Sequence, residues 1–240
     1  MLDILTRAGC FVAIIILGFI LRRTKFFGPE AFSVLSNVVM KITLPAALIA
    51  NSAGRFIDTS MLSISLIGFG CGVLYIFWGW LILRRGSREY RAQCILNLPG
   101  YNIGLFAMPF TSSFLGPVGV LTTSLFDLGN AFICNGGSYA IARAVKEGGK
   151  TDFLRVLKAP FSSIPFLAHC FTILLNLLNV TLPRPVLSLA EIISGANAFL
   201  AMLMIGVGLG ASTGTGKLST VIKILSLRFS VAVLLALAFF

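Results

Sequence analysis

Long apolar runs separated by short polar stretches set the pattern of the chain. Eight runs stand out, at roughly 3–21, 31–53, 59–83, 90–114, 117–142, 162–181, 186–211 and 219–240. A helix that crosses a bilayer needs about 20 mostly apolar residues. The strands of a membrane barrel would instead alternate apolar and polar positions over about 10 residues. These runs are continuous, so the pattern predicts an all-α polytopic membrane protein with eight transmembrane helices, numbered spans 1 to 8 in chain order.

Basic residues punctuate the runs unevenly. Arg22, Arg23 and Lys25 follow span 1, and Arg84, Arg85, Arg88 and Arg91 lie around the junction of spans 3 and 4. Arg143, Lys146, Lys150, Arg155 and Lys158 join spans 5 and 6, and Lys217 and Lys223 flank the junction of spans 7 and 8. The alternate junctions carry only Arg55 and Arg184. Cytoplasmic loops are the ones enriched in Lys and Arg. The expected protein is therefore multi-pass in the plasma (cell inner) membrane, with the N-terminus outside and the odd-numbered loops in the cytoplasm. The regular alternation supports eight spans, because one missed helix would scramble it. Asp3 before the first run and Arg22-Arg23 after it argue against a cleaved signal peptide.

Composition sharpens this reading. Of 240 residues, 57% are hydrophobic and 11% charged, whereas soluble domains carry roughly 25% charged residues. So few charges cannot cover a water-soluble surface. The net charge of +11 would suggest nucleic acid on a soluble protein, but its confinement to the loops points to anionic lipid instead. Cys10, Cys71, Cys94, Cys134 and Cys170 all sit in apolar runs without a C-x-x-C pair, so no disulfide framework, zinc site or redox motif is expected. His169 is the single histidine. It cannot build a metal site alone and is expected to make an interhelical hydrogen bond. The glycine-rich string ending Gly214-Thr215-Gly216-Lys217-Leu218 fails as a phosphate loop, which needs Ser or Thr after the lysine. The expectation is therefore no enzyme, no cofactor and no nucleic-acid partner.

Span 4 carries the clearest irregularity. Its centre reads Leu98-Pro99-Gly100-Tyr101-Asn102-Ile103-Gly104-Leu105-Phe106-Ala107-Met108-Pro109. Proline removes a backbone donor and clashes with the preceding turn. In hydrocarbon the freed carbonyls need partners, so such an interruption persists only where protein buries it or a wet cavity faces it. Span 4 is thus expected to be a broken helix, and Tyr101, Asn102, Gly104 and Pro109 are candidate substrate-binding residues. The positive end of a half-helix suits an anion. Pro45 in span 2 is readable as a simple packing kink.

Charges at bilayer depth cost roughly 2.5–3.5 kcal/mol each on insertion scales and are usually paired or functional. Lys41, Asp127, Glu191 and Arg228 are the four. Asp127 and Asn130 are three apart and share a helix face, which makes both candidates for a substrate-site wall or for the handle of a coupling proton or sodium ion. Asp127 could equally form a buried pair with Lys41 or Arg228. Pairing of Asp127 with Arg228, and of Lys41 with Glu191 or with carbonyls freed near Pro45, is one arrangement. Arg228 binding a substrate carboxylate is the other.

With these residues in view, the chain resembles the auxin efflux carrier family of secondary transporters, including its bacterial malate or malonate permease-like branch. Four stretches carry the resemblance: Gly18-Phe19-Ile20-Leu21-Arg22-Arg23, Leu44-Pro45-Ala46-Ala47-Leu48-Ile49, Asn102 seven residues before Pro109-Phe110, and Ala196-Asn197 through Gly206-Val207-Gly208-Leu209-Gly210. Ala107 stands where the family pattern has glycine. The resemblance implies a ten-helix fold of two inverted five-helix repeats, with broken helices 4 and 9 crossing at the substrate site. It also implies a scaffold of helices 1, 2, 6 and 7 and a moving group of helices 3–5 and 8–10. On that pattern, residues 1–142 form the first repeat, 143–161 a short cytoplasmic linker, and 162–240 the first three helices of a second repeat. The chain would then be the first eight helices of ten, C-terminally truncated. The implied function is transport of small organic anions, such as dicarboxylates or auxin-like carboxylates, by alternating access within the lipid bilayer, in a possible homodimer. A truncated, non-transporting membrane scaffold is the alternative.

The orientation has a direct check. Single cysteines at Gly148 and Thr181, in a cysteine-free background, are expected to react with a membrane-impermeant thiol reagent from opposite sides. Labelling from one side only contradicts the span assignment.

Overall fold

The computed structural model describes residues 2–52, 59–82, 86–148, 153–211 and 218–238. The basic residues Arg55, Arg84, Arg85, Lys150 and Lys217, and the glycine-rich string at 212–217, lie outside that set. The described chain is helical: α1 (Leu2–Arg23), α2 (Ala31–Val38), α3 (Leu44–Ser52), α4 (Ser63–Ile82), α5 (Arg88–Asn97), α6 (Met108–Phe132), α7 (Ser138–Glu147), α8 (Phe153–Lys158), α9 (Ile164–Leu177), α10 (Arg184–Gly195), α11 (Asn197–Ala211) and α12 (Leu218–Ala238).

Proline placement explains much of the segmentation. Pro45 and Pro109 are the second residues of α3 and α6, and a wide π-turn precedes each, at Val39–Thr43 and Ile103–Ala107. A proline has no N–H to give the carbonyl four residues back, and the widened turn relaxes the ladder there. A third π-turn, Ile133–Gly137, joins α6 to α7 without proline. There Ser138 Oγ donates to the Ile133 carbonyl at 2.9 Å, and a Cβ on Gly136 would lie 2.6 Å from the Val156 carbonyl oxygen. Inside α6, Gly116 takes φ 61 and ψ −154, just before Pro117. A left-handed φ favours glycine, and Pro117 starts the second helical piece with its preset φ.

Five helical stretches among the described residues are long and apolar enough to cross a membrane, or six if the pair Val156–Ser162 and Ile164–Leu177, bent by 87°, is one span. Eight separate spans were the expectation, and the difference has physical causes. The first half of span 4 is α5, ten residues long and cut short by the interruption. Spans 4 and 5 run on as one 45-residue stretch, Ile103–Glu147. At 1.5 Å per residue a straight helix of that length would be about twice the roughly 30 Å hydrocarbon core, and Gly116 is where it divides. Span 8 is α12, 21 residues long.

The helices cluster into two compact units with interleaved segments, one of 1–59, 102–124 and 167–213, the other of 60–101, 125–166 and 214–240. In the first, α1 packs against α11 and α10 against α3. A Cβ on Gly18 would collide with the Leu203 carbonyl oxygen, and one on Gly206 with that of Ile15. The two backbones touch, which is what small residues permit in membranes. Val39, Ala201 and Met202 form a core here with Phe11, Ile14, Ile15 and Leu105. In the second unit, Gly68 meets the Phe126 carbonyl and Gly129 meets that of Ser65. Ser65 Oγ also donates to the Leu125 carbonyl at 2.7 Å. Ala92 and Ile95 of α5 pack with Ala142 of α7, and Tyr75, Cys94, Leu98 and Val231 form a second core. Large apolar side chains cover the outside, Leu66, Ile192 and Leu237 among them, which suits a lipid solvent.

The α1–α11 crossing yields a contrast between two glycines. Gly206→Ala is expected to cost about 1–3 kcal/mol by overpacking, read as a lower melting temperature in detergent. Gly9→Ala, where a Cβ meets nothing within 4 Å, is expected to leave that temperature unchanged or slightly raised.

Candidate functional site: the interruption between α5 and α6

The helix α5 starts at Arg88, with Ser87 Oγ accepting from the Tyr90 N–H at 3.2 Å, and the last of its regular turns ends at Asn97. Residues 98–102 are not helical. Helical structure resumes at Ile103. The expected break in span 4 is therefore present and covers five residues.

Each side of the gap has its own chemistry. On the α5 side, two carbonyls accept from other helices. Cys134 Sγ donates to the Pro99 carbonyl at 3.6 Å, and Arg228 Nη2 donates to the Gly100 carbonyl. Tyr101 is half-buried and packs edge-on against Tyr75 and Phe126, each with ring centroids 5.5 Å away. On the α6 side, the Asn102 carbonyl accepts from the N–H groups of Phe106 and Ala107 at 3.3 and 3.1 Å. The amides of Ile103, Gly104 and Leu105 precede these bonds and have no partner carbonyl within the helix; Ile103 is buried, and Gly104 and Leu105 are half-buried. The Asn102 side chain makes no cap bond and is exposed.

The other expected site residues take distinct places. Gly104 is a packing position, since a Cβ there would lie 2.7 Å from Leu44 Cδ2. Pro109 lines a small cavity of about 40 Å³ with Asn51, Ser112, Ser194 and Asn197. Asp127 is half-buried, and Asn130 Nδ2 donates to its Oδ1 at 3.2 Å. Cys134 Sγ donates to Asn130 Oδ1, also at 3.2 Å. Asp127 and Arg228 both lie within electrostatic reach of that thiol. Tyr101, Asp127 and Asn130 thus share one packing unit with Arg228, whereas Asn102, Gly104 and Pro109 belong to the other. Lys41 sits on the π-turn before α3 and Glu191 on α10, both exposed. His169 is 1% exposed.

Sequence reasoning missed two features. Thr43 Oγ1 donates to Asn197 Oδ1 at 2.8 Å, fully buried, and the helix expected at 186–211 is divided at Ala196 into α10 and α11. The signal for the first is a neutral Asn inside an apolar run, which carries no formal charge to mark it. Asn197 also lines the Pro109 cavity.

A family profile described as membrane transport protein matches residues 10–240. That range is nearly the whole chain. The chain belongs to this family, the auxin efflux carrier and membrane transport protein family. No curated protein and no solved structure matches it. Family membership and the apolar helices together make it a multi-pass membrane transporter. The open helix end at Ile103 and the braced carbonyls at Pro99 and Gly100 therefore belong to a transport protein.

Proposed function

We propose that the protein carries small organic anions across the plasma membrane by alternating access, and that the interruption at 98–102 is part of the substrate site. The observation that supports this most is the open helix end at Ile103–Leu105 beside the exposed, uncapped Asn102. Free amides and the positive end of a helix favour a carboxylate. Asn102 adds a side-chain donor next to them. In this reading the chain supplies eight spans of an inverted-repeat carrier, with the N-terminus outside and a first repeat over 1–142. Asp127, held by Asn130, is the place for a coupling proton or sodium ion and lies close to Arg228 in the same moving group. Lys41 and Glu191 belong to the scaffold group. The protein works without catalysis.

The test is uptake of a radiolabelled dicarboxylate such as malate into proteoliposomes. Asn102→Ala is expected to lower kcat/KM by about tenfold or more, since a hydrogen bond to a charged group is worth about 1.5–3 kcal/mol. Membrane insertion and melting temperature should stay at wild-type values. Unchanged uptake by Asn102→Ala places the substrate elsewhere. No uptake by the unaltered protein favours a non-transporting membrane scaffold.

A further inference from the structure

An interrupted helix leaves two ends of opposite sign. The end of α5 exposes carbonyls that have no amide four residues on, and it carries the negative pole of the helix dipole. That pole opposes an anion held a few residues further along the chain. A cation placed on the carbonyl end removes the opposition.

Arg228 places such a charge three residues past the last residue of α5, in the gap itself. Its Nη2 donates to the Gly100 carbonyl across 128 residues of sequence. It sits half-buried on α12, a helix of 21 mostly apolar residues. A cation at that depth is costly, and an apolar side chain would fill the same space. What an apolar residue could not do is satisfy the Gly100 oxygen. Arginine fits the task because its guanidinium stays charged and presents donors in a rigid plane. Arg228 is itself fixed from behind. Tyr75 Oη donates to the Arg228 backbone carbonyl at 3.0 Å, and the Tyr75 ring stands edge-on to Tyr101. Tyr75 is 1% exposed in the core that also holds Leu98. Gly100, Tyr101 and Arg228 are thereby tied into one packed cluster.

We propose that Arg228 is a positioning residue for the anion site: it sets a positive charge in the gap just past the negative end of α5 and fixes Gly100, and with it the Tyr101–Asn102 link that leads into the next helix end. The role rests on the reading above that the interruption binds an anion. It differs both from direct contact with the substrate and from simple pairing with Asp127.

The test uses the protein reconstituted in liposomes with Arg228→Gln, Arg228→Lys and Arg228→Met. Arg228→Gln keeps a donor and loses the charge. It is expected to raise the KM for the dicarboxylate about tenfold while leaving Vmax within about twofold, because the charge acts on binding. Arg228→Lys should recover most of the affinity. In Arg228→Met, hydrogen exchange of the amides at 98–106 should rise, with α1 and α11 exchanging as in the unaltered protein and so reporting intact folding. Wild-type exchange at 98–106 in Arg228→Met overturns the proposal, as does an unchanged KM in Arg228→Gln when the unaltered protein transports. If the unaltered protein takes up no dicarboxylate yet exchange at 98–106 rises in Arg228→Met, the positioning stands and the anion reading falls.

Discussion

Inside hydrocarbon a backbone amide or carbonyl has no water to bond with, and each one left unpaired costs several kcal/mol. Most of this chain meets the constraint by staying helical. The stretch 98–102 does not, and the second packing unit is arranged around that exception. The Pro99 and Gly100 carbonyls take donors from Cys134 and Arg228, which reach them from the π-turn after α6 and from α12. Tyr101 is held between two aromatic rings. Without those partners the interruption would have no reason to persist at this depth.

The same constraint explains the close crossings. Gly18 with Gly206, and Gly68 with Gly129, let backbones touch where a single methyl group would collide. Apolar side chains gain little from leaving lipid for protein, since both are equally apolar. Helix association there depends on close contact and on occasional hydrogen bonds. Ser65 to the Leu125 carbonyl and Thr43 to Asn197 are such bonds. They occur in different units, and the second lies where α10 and α11 divide.

How much of this could be read from the sequence follows from the range of each interaction. Features set by neighbouring residues were legible. Pro99-Gly100 announced the interruption, the gap between the runs 90–114 and 117–142 fell where α6 divides, and the long apolar runs announced a membrane protein. The family followed from motifs spread along the chain. Features set by distant partners were not legible. Nothing local to Arg228 says that its guanidinium meets Gly100, and nothing near Gly104 says that it packs on Leu44 rather than lining a site. The π-turns before Pro45 and Pro109 fall between. The prolines predict a disturbance, but whether it becomes a kink or a widened turn depends on what packs beside it. The division at Ala196 has no proline to mark it; Gly195 before it and the buried Asn197 after it were the local hints.

We propose that Asn102, exposed and uncapped beside the interruption, can be reached by a charged solute from water. The most direct measurement is the reactivity of a single cysteine at Asn102 toward a membrane-impermeant, charged thiol reagent, in a cysteine-free background and a lipid bilayer. The account predicts that Asn102→Cys reacts readily from water, while Ile16→Cys, exposed in the middle of α1, reacts only with a lipid-soluble reagent. Equal protection of the two positions from the charged reagent would contradict it.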